Sequence, residues 1–123
     1  GLLAFIAMQE LIDVEPTGYL RCGSLHFPDA GLKNIRLGKS TYEVRLDRGL
    51  QVKRDGKLFA ESTTRVIVRL PLVGPRDEPL HLSAMDSGRL TLHGEGLLRR
   101  RARLLDGTFV QPKVQRNKLV YEW

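Results

Sequence analysis

The sequence predicts an all-β fold, an antiparallel sandwich or partly closed barrel of about nine short strands with one short N-terminal helix. Three observations carry that prediction. From residue 19 onward, apolar and polar residues mostly alternate, as in Tyr42-Glu43-Val44-Arg45-Leu46, the two-residue period of a half-buried strand. Turn signals recur between the alternating runs: Asp47-Arg48-Gly49, Asp55-Gly56, Asp86-Ser87-Gly88 and Asp106-Gly107. Asp followed closely by Gly suits a tight hairpin, because glycine takes a positive φ without a Cβ clash, so four such turns imply antiparallel meanders. The third observation is a change of period: helical spacing is confined to the first residues, before Pro16 and Gly18.

In that first segment Leu2, Leu3, Phe5, Ile6, Met8, Leu11 and Ile12 form a broad apolar helical face, with Gln9, Glu10 and Asp13 polar. The expected helix covers residues 1–15 and stops at Glu15-Pro16-Thr17-Gly18. Residues 19–123 then form the β domain, and the whole chain reads as a single domain. Residues 19–27 make the first strand and place Cys22 half-buried among strand neighbours; residues 28–39 read as a loop rich in turn residues. Strands are expected at 41–46, 50–54 and 57–61, and at the β-branched run 65–73, which Pro71 interrupts and Gly74-Pro75 closes. Further strands follow at 79–85, 89–93, 97–105, 108–114 and 118–123.

A chain of 123 residues can bury one real core but not two. With 41% hydrophobic and 28% charged residues it has globular rather than disordered composition. The formal charge of +6 points to acidic partners. Most of that excess lies late in the chain: residues 63–123 hold eleven Lys and Arg against six Asp and Glu, and residues 1–62 nine against eight. The single cysteine excludes an internal disulfide and a Cys-x-x-Cys metal site. No run approaches the ~20 apolar residues of a transmembrane helix, so no membrane span is expected within the chain.

Motifs for catalysis are weak. Gly38-Lys39-Ser40 matches the end of a phosphate-binding loop, but the required earlier glycine position holds Lys33, and a strand rather than a helix follows. His26, His81 and His93 stand in no metal-ligand spacing. His93-Gly94-Glu95-Gly96 lacks the Gly-x-Ser-x-Gly elbow that would make it an oxyanion loop. The expectation is therefore a non-enzymatic chain, with no catalytic residues, no metal and no cofactor.

The strongest functional signal is Leu97-Leu98-Arg99-Arg100-Arg101-Ala102-Arg103-Leu104-Leu105. As a strand, this run sends Arg99, Arg101 and Arg103 to one face at steps of roughly 6–7 Å. Arg100 turns toward the apolar side, where it needs a partner or a sheet rim. A row of guanidinium forks suits a polyanion. Lys113, Arg116 and Lys118 cluster at the next connection, and Phe109, Tyr121 and Trp123 lie in strands that could neighbour the row. Basic residues interleaved with aromatics are what single-stranded nucleic-acid binders use. The expected site thus comprises Arg99, Arg101, Arg103, Lys113, Arg116, Lys118, Tyr121 and Trp123, and the expected partner is nucleic acid or another polyanion.

The alternative expectation is a structural or assembly subunit whose basic face meets copies of itself or other protein neighbours. Gly1-Leu2-Leu3-Ala4-Phe5-Ile6-Ala7-Met8-Gln9 resembles the middle of the N-terminal helix of type IV pilins and type II secretion pseudopilins. The resemblance implies a truncated membrane helix and a β-rich head of an extracytoplasmic fibre subunit. It covers nine residues and departs from the pilin pattern in that this helix must end near Pro16.

Overall fold

The computed structural model describes residues 11–72, 77–95 and 97–123. Thirteen strands occur among these residues: β1 (Ile12–Val14), β2 (Tyr19–Gly23), β3 (Ala30–Leu37), β4 (Ser40–Leu46), β5 (Leu50–Arg54), β6 (Lys57–Ser62), β7 (Val66–Pro71), β8 (Leu80–Ala84), β9 (Arg89–His93), β10 (Ala102–Leu104), β11 (Phe109–Val110), β12 (Lys113–Gln115) and β13 (Lys118–Glu122). They build an all-β sandwich. Sheet I has the order β1-β2-β7-β8-β10-β11, and sheet II has the order β12-β13-β9-β6-β5-β4-β3. Neither sheet closes on itself, so the fold is a sandwich rather than a barrel. All strand pairs are antiparallel except β8 with β10, which run parallel.

The two-residue period builds the shared core. In sheet I, Ile12, Cys22, Val68 and Leu82 stand in register across four strands and point inward. In sheet II, Leu119, Leu92, Ala60, Val52 and Val44 do the same. None of these nine side chains is more than 3% exposed, and burying each large aliphatic one stabilises the fold by about 1.5–3 kcal/mol. Asp55-Gly56 turns β5 into β6 with both residues at positive φ, 51° and 80°, the geometry of a two-residue hairpin whose twist matches its strands. The Asp55 carboxylate also accepts from the Thr41 N–H at 2.9 Å, tying this turn to β4.

Several expectations need correction. Of the expected helix 1–15, residues 1–10 lie outside the described residues, and Ile12–Val14 is strand β1, paired with β2 through Ile12↔Cys22 and Val14↔Leu20. Glu15-Pro16-Thr17-Gly18 is not a helix stop but the β1–β2 hairpin: the Gly18 N–H donates to the Glu15 carbonyl at 2.9 Å and Gly18 has φ 92°. Proline at the first corner followed by a glycine at positive φ is a hairpin turn as readily as a helix terminator, and pairing with β2 decides between them. The expected loop 28–39 contains β3, an eight-residue edge strand. Its alternation is broken by a bulge between Leu32 and Ile35, where Asn34 takes φ 58°; the extra residues shift the period and hide the strand from sequence.

The expected strand 97–105 is confined to Ala102–Leu104, because the residues before it carry the chain from β9 in sheet II to β10 in sheet I. Asp86-Ser87-Gly88 likewise joins strands of opposite sheets rather than a hairpin. The expected strand 108–114 splits into β11 and β12, which belong to different sheets and are separated by Gln111-Pro112. Proline cannot supply the N–H that a continuous ladder needs there.

Candidate functional site

Sheet I presents its outward positions in one line. Asp13, Arg21, Arg69, His81, Arg103 and Phe109 are successive cross-strand partners from β1 to β11, with neighbouring strands ~4.8 Å apart. Their chain neighbours Ile12, Cys22, Val68, Leu82 and Ala102 are buried, so the alternation leaves this row on the outer face. Three arginines, Arg21, Arg69 and Arg103, therefore share one row across the strands, whereas Arg99 and Arg101 precede β10 and do not form a row along it.

Crowded cations on one face repel, and local carboxylates and rings organise them. Glu15 accepts from Arg69 Nε at 2.8 Å and from Nη2 at 3.3 Å, a two-pronged pair. The same guanidinium lies 4.6 Å from the centre of the Tyr19 ring. The Tyr19 hydroxyl donates to the Glu78 carboxylate, and that bond together with burial holds the phenol above its ordinary pKa. The rings of Tyr19 and His81 sit 5.8 Å apart at 60°. Burial first, then the charges of Arg69 and Arg103, lower the His81 pKa, with Glu78 and Glu15 opposing the shift.

The β10 end of the face is different. Arg99, Arg101 and Arg103 are exposed, and none of the three takes part in an ion pair of the described residues. The Arg101 guanidinium lies 4.1 Å from the centre of the Phe109 ring, and Phe109 is 44% exposed on the two-residue edge strand β11. Arg100 is 5% exposed; its Nη1 donates to the Glu78 carbonyl at 2.8 Å, and its own carbonyl accepts from the Tyr121 hydroxyl. It is the inward-facing member of the run.

The other expected site residues lie elsewhere. Lys113 and Lys118 belong to the β12–β13 hairpin of sheet II and sit on the opposite outer face from Arg103, with Arg116 in the turn between the two strands. Lys113 Nζ is 3.1 Å from Glu122, and Arg89 is 3.6 Å from the same carboxylate; Lys113, then Arg89, holds the Glu122 pKa below the usual carboxylate range. Lys113 and Lys118 line a polar groove of about 570 Å³ with Glu61, Thr63, Arg89 and Thr91. Tyr121 is fully buried. Trp123 packs partly against the core and donates its indole N–H to the Asp86 carbonyl at 2.9 Å. Tyr121 is closed off from solvent and Trp123 is only partly exposed, whereas Phe109 is 44% exposed with Arg101 against one face of its ring.

Sequence reasoning missed Arg21, Arg69 and His81. A signal for them exists: each is a lone basic residue between two apolar ones, as in Leu20-Arg21-Cys22, Val68-Arg69-Leu70, Leu80-His81-Leu82 and Ala102-Arg103-Leu104. Strand order and register, which place the four side by side, are absent from that signal.

Gly38-Lys39-Ser40 forms the β3–β4 turn, with Gly38 at φ 61°. His93 faces Glu61 at 3.2 Å across β9 and β6. Among the described residues no three of His, Cys, Asp and Glu converge as metal ligands, and no helix is long and apolar enough to cross a membrane. Burial pushes the Cys22 thiol up to about 12, which keeps it a packed apolar group rather than a nucleophile. The segment resembling pilins lies within residues 1–10, outside the described residues. No family model, no curated protein and no solved structure matches this chain.

Proposed function

We propose that this chain is a non-enzymatic binding module for a polyanion, and that the ligand meets the outer face of sheet I at its β10–β11 end. The observation that carries the reading is that Arg99, Arg101 and Arg103 are exposed together with no carboxylate paired to them among the described residues. Guanidinium groups already neutralised by a neighbour, such as Arg69 with Glu15, release fewer counterions on meeting phosphate. Those three retain their full charge and donor capacity. Three exposed guanidinium groups within five residues favour an extended ligand over a single anion.

The test is a salt titration of binding to nucleic acid and to heparin, for the parent and for Arg99→Ala, Arg101→Ala and Arg103→Ala combined. The slope of log affinity against log salt is expected to fall by about 2 to 3 in magnitude, close to one unit per lost contact. Arg45→Ala, which removes an exposed cation from the far face, is expected to leave the slope unchanged. A parent protein without salt-dependent binding, or a triple variant with the parental slope, would sink the proposal.

A further inference from the structure

We infer that the polyanion is a single-stranded nucleic acid, and that an unpaired base stacks on Phe109 while Arg101 and Arg103 hold the adjoining backbone. This rests on the reading above and narrows its ligand. Phe109 stands 44% exposed in a strand of two residues, and the core gains little from it. Arg101 covers the ring at 4.1 Å, and Arg103 is its direct cross-strand partner. The cation–π contact orients the ring and keeps one guanidinium beside it.

The location selects the ligand class. β11 is the edge of sheet I, so the ring stands at a rim that a splayed base can approach from the side. In a duplex the base faces are stacked inside and offer nothing to a protruding phenyl ring, whereas an unpaired base does. A sulfated polysaccharide or polyphosphate has anions for the arginines but no flat π surface for the ring. Exposed arginines alone would serve all of these ligands equally; the aromatic between two of them distinguishes one.

The experiment measures affinity for an oligothymidylate, for a duplex of the same length and for heparin, by fluorescence anisotropy at fixed salt. The parent, Phe109→Leu, Phe109→Ala and Arg103→Ala are compared after thermal unfolding confirms that each is folded. Both Phe109 variants are expected to lose about 5- to 150-fold in affinity for oligothymidylate relative to heparin, the range of one base–aromatic stack, and Arg103→Ala is expected to weaken both ligands together. Leucine preserves an apolar residue on β11, so a loss shared by the Leu and Ala variants reports the π face and not the strand. If Phe109 variants weaken both ligands equally or neither, or if the parent prefers the duplex, the inference is overturned, yet the polyanion reading survives so long as Arg103→Ala weakens binding. If the parent binds no polyanion, both fall.

Discussion

Replacing Tyr121 with phenylalanine tests how the arginine run is anchored. Tyr121 lies in β13 with its ring fully buried, opposite Leu90 of β9. Its hydroxyl reaches out of sheet II to donate to the carbonyl of Arg100, at the point where the chain has just crossed from β9 toward β10. Arg100 in turn donates to the Glu78 carbonyl at 2.8 Å, so one residue ties the crossing to β13 and to the approach of β8. Phenylalanine keeps the ring and its packing but deletes the donor, leaving a buried carbonyl with a lost partner. Such a group costs about 1–3 kcal/mol. With 123 residues and an unfolding entropy of about 2.1 cal/mol/K per residue, the melting temperature should drop by roughly 4–12 °C. Thermal unfolding followed by circular dichroism at pH 7 reads this directly, and Tyr121→Leu, which also opens a cavity, should fall further. A shift under about 2 °C for Tyr121→Phe would refute the reasoning, because it would mean that the carbonyl is already satisfied or solvated without the phenol.

Two further outcomes follow from particular positions. Gly23 has φ 96°, and an added Cβ would stand 2.1 Å from the Val66 carbonyl oxygen; Gly23→Ala is expected to cost at least about 1–3 kcal/mol, whereas Gly31→Ala, whose Cβ meets nothing within 4 Å, is expected to melt near the parent, and equal melting temperatures would contradict this. The depressed His81 pKa makes the unfolded chain bind a proton at this site more readily than the fold does. Stability from this site is then complete above about pH 6.5 and is lost as pH falls through the lower folded value. His81→Gln should flatten the decline of melting temperature between about pH 6.5 and pH 5 relative to the parent, and parallel profiles would remove His81 as the cause.

By itself the sequence determined the fold class, because alternating residues and Asp-Gly turns are local signals. Strands 50–54 and 89–93 have the same limits in the sequence and in the structure. The period also decided that Arg101 and Arg103 face out while Arg100 and Ala102 face in. It could not decide where a strand ends when the chain changes sheets, since crossing residues alternate as strand residues do; hence the shortening of β10. Nor could it show which residues meet across strands. Arg21, Arg69, His81 and Arg103 come from four separate strands, and their alignment depends on register, which long-range pairing sets. The same limit scattered the expected basic cluster: Lys113 and Lys118 lie about ten to fifteen residues from Arg103 in the chain but face the opposite side of the sandwich, because the crossing at Pro112 carries β12 into the other sheet. Only the tertiary structure picked Phe109 over Tyr121 and Trp123 as the exposed ring. Aromatic identity is written in the sequence, but burial depends on what the rest of the chain packs against.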